Sequence, residues 1–564
     1  MKKAGRKMAG RSVEDKKMTA EIKNNSVRQD QSAKEKMLRG SAWMTMGSIF
    51  SRILGAIYII PWYAWFGKDN LAANYLYTQG YTVYSVFLMI SIAGIPSAVA
   101  KQVAHYNAEN EYALGQRLYK KLVLLMLGVG VCAALIMWIV APLLSQGDPK
   151  VVPVYRSLAV ALTIIPLMSL TRGFFQGYQD MFPSAMSQLL EQVARIIYML
   201  AATYLIMKVF RGSYVTGVVH STFAAFVGAL GGFLFLGFFY LKKKKRLAEL
   251  ARQSANQLSV SDGQVIKALL IESIPFIIIG VSTTLYNLLD QFTFKKIMLF
   301  FTNYSVKAID DFYAIFAGNA NKLIMITISL AAAMAATAIP LLSEAYTKKD
   351  QEQISTQIND AIELFLLLML PCSLGMAAVA KPLYVVFYQY DLTGIYVLSF
   401  SSYVALPIGL FMVLSSLLQG VYQNKQAVQY FAIGMIVKII VQVPLTAIFQ
   451  PFGPLMATAI GMMVSNWLML RRFYYSDQLD LRRVTRRFDA LLLFSLLTFI
   501  VALGTVELSG LFLNIQYRVQ ALLALILSAG TGGFCYVYLC LKTRLADKIL
   551  GSKAGHLRSL LRIR

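Results

Sequence analysis

Four basic side chains stand inside long apolar runs of the sequence: Arg52, Arg195, Lys322 and Lys438. At 1.5 Å per helical residue, each lies about 15 to 18 Å from the start of its run, close to the middle of a bilayer. An ionised side chain at that depth costs about 2.5 to 3.5 kcal/mol on insertion scales, so each needs a wet interior, a counter-charge or an anionic ligand. The chemistry open to them is anion binding. Arginine offers a planar fork that matches phosphate oxygens, and lysine a compact point charge. Glu191 lies four residues before Arg195 on the same helical face and is its candidate charge partner. Arg52, Lys322 and Lys438 have no acid at helical-neighbour spacing, so they call for a distant partner such as Glu272 or Glu363, or for a ligand, and three such cations favour a ligand. On this reading, loss of Arg195 strands Glu191. Loss of Lys438, which has Gly434 at the matching position, strands nothing local. Asn319 and Asn321 flank Lys322 and join the four cations as candidate substrate-binding residues. Gln79, Tyr81 and Tyr84, with Ser282, Thr283, Thr284, Tyr286 and Asn287, add hydroxyls and rings suited to sugars, although such residues also serve as interhelical glue.

The elements that position these residues follow from composition. Hydrophobic residues make up 57 % of the chain and charged residues 15 %, against roughly 25 % charged in a soluble domain. Fourteen apolar spans of bilayer-crossing length lie between residues 41 and 541, the seventh over about 265–290, which predicts an all-α polytopic membrane protein. The four cysteines all fall in apolar runs and the three histidines are scattered, so neither a metal site nor a disulfide framework is expected, and no cofactor is called for. A net charge of +26 fits loops that set topology and touch anionic lipid better than it fits nucleic acid. Lys and Arg cluster in alternate connections, which predicts that both termini face the cytoplasm of a multi-pass plasma-membrane protein. Residues 1–40 read as a basic, solvated tail without the apolar core of a cleavable signal peptide, and 542–564 as a second basic tail.

A repeat divides what lies between. Gln176–Ile197 (QGYQDMFPSAMSQLLEQVARII) is echoed by Gln419–Ile440 (QGVYQNKQAVQYFAIGMIVKII), with Arg195 and Lys438 at equivalent places. Ile90–Tyr106 and Ile328–Tyr346 echo each other more weakly. Six spans separate the two copies, so they run the same way up and imply two parallel lobes, 41–240 and 265–475. The Lys242–Arg246 run opens a solvated linker over 241–264, and 476–541 hold the last two spans. Gly94 and Pro96 mark the expected bend or hinge in the second span.

Several stretches resemble a known family. Phe50-Ser51-Arg52-Ile53-Leu54-Gly55, Asn321-Lys322 leading to Ile339-Pro340-Leu341-Leu342-Ser343, and the fourteen-span layout are similar to the MurJ-type lipid II flippases. GIPSAVAKQVAHYNAENEY and the Gln-Gly turns resemble their Gram-positive branch, which includes stage V sporulation protein B, within the multidrug/oligosaccharidyl-lipid/polysaccharide exporter superfamily. The resemblance places the family's first-span arginine on Arg52 and its eighth-span cation on Lys322. It departs at Tyr58, where the family has a second arginine, and at Asn74, where it has an acid. It implies a central cavity between two six-helix lobes, a lipid-tail groove at the last two spans, and flipping of a polyprenyl-linked sugar precursor, lipid II foremost, with no bond broken. Partners on this reading are that substrate and membrane lipids, with cell-wall synthesis proteins left open and no need for more than a monomer. A cation or multidrug antiporter of the same superfamily, a flippase for another lipid-linked polysaccharide precursor, a glycosyltransferase and a scaffold are the alternatives. The antiporter would call for buried carboxylates, and the transferase for an acid or His cluster that the loops lack.

Overall fold

The computed structural model describes residues 54–254 and 262–550, except 56, 93 and 477, together with 555 and 558. Arg52 and the two basic tails beyond those limits lie outside the described residues, as does the first part of the first expected span. The described chain is built of α-helices joined by short turns. The first half comprises α1 (Ile59–Phe66), α2 (Asn70–Ile92), α3 (Ile95–Ala108), α4 (Tyr112–Leu144), α5 (Val152–Leu162), α6 (Ile165–Gly177), α7 (Phe182–Tyr204) and α8 (Tyr214–Arg252). The second comprises α9 (Asp262–Phe301), α10 (Val306–Tyr313), α11 (Asn321–Thr347), α12 (Gln351–Ala378), α13 (Ala380–Phe387), α14 (Leu392–Gly420), α15 (Asn424–Phe449) and α16 (Gly453–Tyr475). A hairpin of α17 (Leu481–Gly510) and α18 (Arg518–Lys542) and the short α19 (Leu545–Leu550) complete it. Among the described residues ten helical runs are long and apolar enough to cross a membrane. Leu143 is 80 % exposed and Ile500 63 % exposed, surfaces that water would penalise and lipid covers. The chain is a multi-pass membrane protein.

The repeat is visible in the backbone. After α6, Gln179 takes a positive φ of 59°, and the amides of Gln179 and Asp180 return to the carbonyls of Gln176 and Phe175. After α14, Tyr422 has φ 58°, and the amides of Tyr422 and Gln423 return to Gln419 and Leu418. Both are left-handed helix caps closing the last turn. The weaker echo behaves alike, with Asn110 at 59° after α3 and Lys349 at 57° after α11.

Close helix approach follows each cap. A Cβ on Gly228 of α8 would lie 2.6 Å from the Glu191 carbonyl, and one on Gly232 3.0 Å from the Ser187 carbonyl, so these glycines let α8 press against α7. In the second half Gly434 and Gly461 do the same for α15 and α16, each placing a Cβ within 2.6 Å of the other's carbonyl oxygen. The halves meet where α2 crosses α9, with Gln291 Nε2 donating to the Gln79 carbonyl at 3.3 Å and to Tyr155 Oη of α5 at 2.9 Å. The α17–α18 hairpin is fixed to α12 by Glu363, which receives both Arg483 and Arg487.

Two expectations are corrected. The Lys242–Arg246 stretch is no loop: α8 runs on to Arg252, because Lys, Arg, Leu, Ala and Glu are good helix formers. Lys243 pairs with Asp180 and Leu247 is buried, so this extension packs on the first half. Span 7, expected to end near residue 290, continues to Phe301 and carries Asp290 inside the helix. At the expected bend, Gly94 with φ 77° separates α2 from α3, and Pro96 sits in the first turn of α3, where no amide donor is missed.

Candidate functional site

A cavity of about 390 Å³ lies between the halves, walled by α2 and α7 on one side and α9, α11 and α16 on the other. Two cations, Lys322 and Arg195, reach it, together with Tyr81, Asn287 and Asn321. No carboxylate is found among its described lining residues. Buried polar atoms there lack partners: Thr78 Oγ1, Tyr81 Oη and Arg195 Nε. Unpaired buried donors and acceptors are costly unless water or a ligand meets them, so the wall is suited to a polar guest.

Lys322 is positioned from two sides. Residues Ala314–Ala320 form a wide π-helical segment before α11, and Gly318 within it lets Asn74 approach, since a Cβ there would sit 2.3 Å from Asn74 Nδ2. Asn74 donates to Asn319 Oδ1 at 2.8 Å and accepts from Lys322 Nζ at 2.5 Å. The rings of Tyr77 and Trp62 lie 4.6 and 5.3 Å from the ammonium, a favourable face for a cation. No acid pairs with Lys322 among the described residues.

Arg195 lies across the cavity. The expected pair forms, Arg195 Nη2 meeting Glu191 Oε1 at 3.0 Å. Sequence reasoning missed a third member: Arg172 of α6 binds the other oxygen, Glu191 Oε2, at 2.8 Å. Arg172 stands in the fourth span close to its Gln-Gly end, and its interior position was the available signal.

Two candidates are relocated. Asn319 is fully buried; its amide donates to Tyr384 Oη at 2.8 Å and accepts from Asn74, so it braces the contact of α2 with the segment before α11 and does not line the cavity. Lys438 is fully buried and is not without an acid. Its Nζ meets Asp290 Oδ1 at 2.8 Å, Thr458 Oγ1 at 2.8 Å and the Tyr286 carbonyl at 2.9 Å. Of the two distant acids expected for the cations, Glu363 pairs with Arg483 and Arg487, and the side chain of Glu272 lies outside the described residues. The true partner escaped notice because Asp290 read as the last residue of its span. Among the described residues no cluster of His, Cys, Asp and Glu has the makings of a metal site.

A second cavity, about 510 Å³ and almost wholly apolar, opens between α12 and the α17–α18 hairpin, lined by Leu367, Pro371, Ala502, Gly532 and Tyr536.

Comparison with known proteins agrees with this architecture. The sequence profile of the family described as polysaccharide biosynthesis protein matches residues 37–346. The lipid II flippase MurJ of Bacillus subtilis (strain 168) is 33 % identical over 538 residues, 92 % of this chain and 97 % of the relative. Among solved structures, a lipid II flippase MurJ in an inward closed conformation superposes with a TM-score of 0.58 at 13 % identity, covering 87 % of this chain and 98 % of its own. A MATE transporter in a straight conformation gives 0.56 at 17 % identity, covering 78 % and 96 %. At those identities the two structures speak for the fold alone. With the profile spanning more than half of the sequence and one relative aligned over nearly all of it, the chain belongs to the polysaccharide biosynthesis protein family, among its MurJ-type members.

Proposed function

We propose that this chain flips a polyprenyl-pyrophosphate-linked sugar precursor, lipid II of peptidoglycan, across the plasma membrane by alternating access. The observation that carries the reading is the cavity itself: two cations, unpartnered hydroxyls and no carboxylate among the described lining residues, placed between two halves related by a repeat. Carrying a pyrophosphate past hydrocarbon requires that its charge be met inside the membrane, and fixed cations in a polar cavity do this. The apolar cavity beside α17 and α18 suits a polyprenyl tail. Arg52 and Asn321 complete the substrate contacts on this reading, and the chain works as a monomer.

The Lys and Arg distribution supports cytoplasmic termini. That orientation makes the Asn74–Asn319–Tyr384 contacts the outer closure. Opening it while the opposite end closes, with Gly94 as a hinge, moves the headgroup from leaflet to leaflet. The MATE-like fold raises the reading of a cation antiporter, but a cationic cavity repels such cargo.

Depleting the protein in its host tests this. Lipid II is expected to accumulate on the cytoplasmic leaflet, restored to normal by the wild-type chain and not by Lys322→Ala made at equal abundance. Accumulation of a different lipid-linked sugar reassigns the substrate. Full rescue by Lys322→Ala removes the cationic cavity from the mechanism.

A further inference from the structure

Glu191 is one carboxylate held by two arginines. Its Oε2 takes Arg172 Nη2 at 2.8 Å and its Oε1 takes Arg195 Nη2 at 3.0 Å. The two guanidinium groups differ in their other contacts. Arg172 is anchored a second time, its Nε donating to Ser187 Oγ at 2.8 Å, one turn before Glu191 on α7. It does not line the cavity. Arg195 lines the cavity and its buried Nε has no partner. Among the described residues no acid other than Glu191 pairs with either arginine, so the trio carries two positive charges and one negative, a net charge of +1.

We infer that Arg172 is a positioning residue that holds Glu191 so that Arg195 can be released to the substrate's pyrophosphate. The reason is electrostatic. In an isolated Arg195–Glu191 pair, an incoming anion would have to pull the guanidinium away and leave a carboxylate without a partner inside the membrane, a heavy penalty. With Arg172 on the other oxygen, Glu191 stays neutralised when Arg195 turns away. The guanidinium fork is then free to meet two phosphate oxygens side by side. Glu191 in turn keeps Arg195 tolerable in the empty cavity. The close packing at Gly228 and Gly232 holds the backbone of Ser187 and Glu191 against α8, so exchange of partners takes place in side chains alone.

This rests on the flippase reading, in that the anion is taken to be a pyrophosphate, and the test separates the two. The probe is inorganic pyrophosphate, titrated calorimetrically into the purified full-length chain in detergent, with thermal unfolding of each variant measured alongside. Wild type is expected to bind. Arg172→Gln is expected to bind at least about fivefold more weakly, the lower end of ordinary coupling between sites, because Glu191 then holds Arg195 alone. Adding Glu191→Gln to Arg172→Gln is expected to restore binding to within about twofold of wild type, which a merely structural role for Arg172 would not produce. Arg195→Gln is expected to weaken binding in both backgrounds. Should Arg172→Gln fail to fold, Arg172→Lys, which keeps the charge on Glu191, is expected to bind like wild type. Unaltered binding in Arg172→Gln, no recovery in the double variant, or an Arg172→Lys that folds and has lost binding overturns the positioning role and leaves the flippase reading standing. Failure of the wild-type chain to bind pyrophosphate overturns both.

Discussion

Arg195 and Lys438 occupy the same place in the two copies of the repeat, yet they live in opposite surroundings. Arg195 retains 22 % side-chain exposure, faces the cavity and shares its counter-ion with Arg172. Lys438 retains none and is enclosed by a carboxylate and a peptide carbonyl from α9 and a hydroxyl from α16. The cause sits one turn earlier. In the first copy that position is Glu191, which supplies a local charge; in the second it is Gly434, which lets α16 close in and leaves the charge to come from Asp290 on α9. A repeat fixes where a cation stands along a helix, whereas the residue four positions away decides whether it serves a cavity or locks a bundle. Of the two repeat cations, the one in the first half is open to the cavity and the one in the second is closed off.

The largest effect expected from that contrast is on folding. Lys438→Met leaves Asp290 buried and unpaired, which costs about 3 to 5 kcal/mol when one member of a buried pair is removed. Membrane abundance and thermal unfolding should fall sharply. Adding Asp290→Asn should recover most of the loss. A Lys438→Met variant as stable as wild type breaks the comparison, because the pair would then hold nothing together.

Arg195→Ala comes next, with the ranking of the two repeat cations reversed from what the sequence suggests. Glu191 keeps Arg172 after the substitution, so the stability loss should be about 1 to 2 kcal/mol, the size of one charged hydrogen bond in a partly exposed setting. Transport, in contrast, should be lost, since the guanidinium that lines the cavity is gone. Thermal unfolding beside complementation checks both halves of this statement. A loss as large as that of Lys438→Met would mean that Arg172 does not support Glu191.

How far the sequence foretells this depends on the range of the interaction. The helical layout, the repeat and the Glu191–Arg195 pair are local or periodic features, and periodicity and a four-residue spacing reveal them. The Asn74–Lys322 contact joins residues 248 apart, and Asp290–Lys438 residues 148 apart. No local pattern encodes such pairings. Asp290 was hidden further by its place at the edge of an apolar run, where an acid reads as a helix end; α9 instead carries it eleven residues before its own end at Phe301. Asn319 was misplaced for a related reason. Three residues before Lys322, it would share that face on a regular α-helix, but it lies in the π-helical segment Ala314–Ala320, whose wider turn changes the register.

The smallest effect isolates burial from charge. Two hydroxyls play matching parts in the two sites: Ser187 Oγ donates to the Ser184 carbonyl and accepts from Arg172 Nε at 2.8 Å, while Thr458 Oγ1 donates to the Pro454 carbonyl and accepts from Lys438 Nζ at 2.8 Å. Removing either leaves a cationic donor short of one acceptor. Arg172 is 18 % exposed in its side chain, so water can take the place of Ser187. Lys438 has no exposure, and nothing replaces Thr458. Thr458→Val, which keeps the shape of the side chain, should therefore cost about 1 to 2 kcal/mol, and Ser187→Ala less than about 0.5 kcal/mol. Thermal unfolding of the two single variants, measured together, decides. Equal shifts would mean that water reaches Lys438 as readily as Arg172, and the distinction between an open and a closed cation would fall.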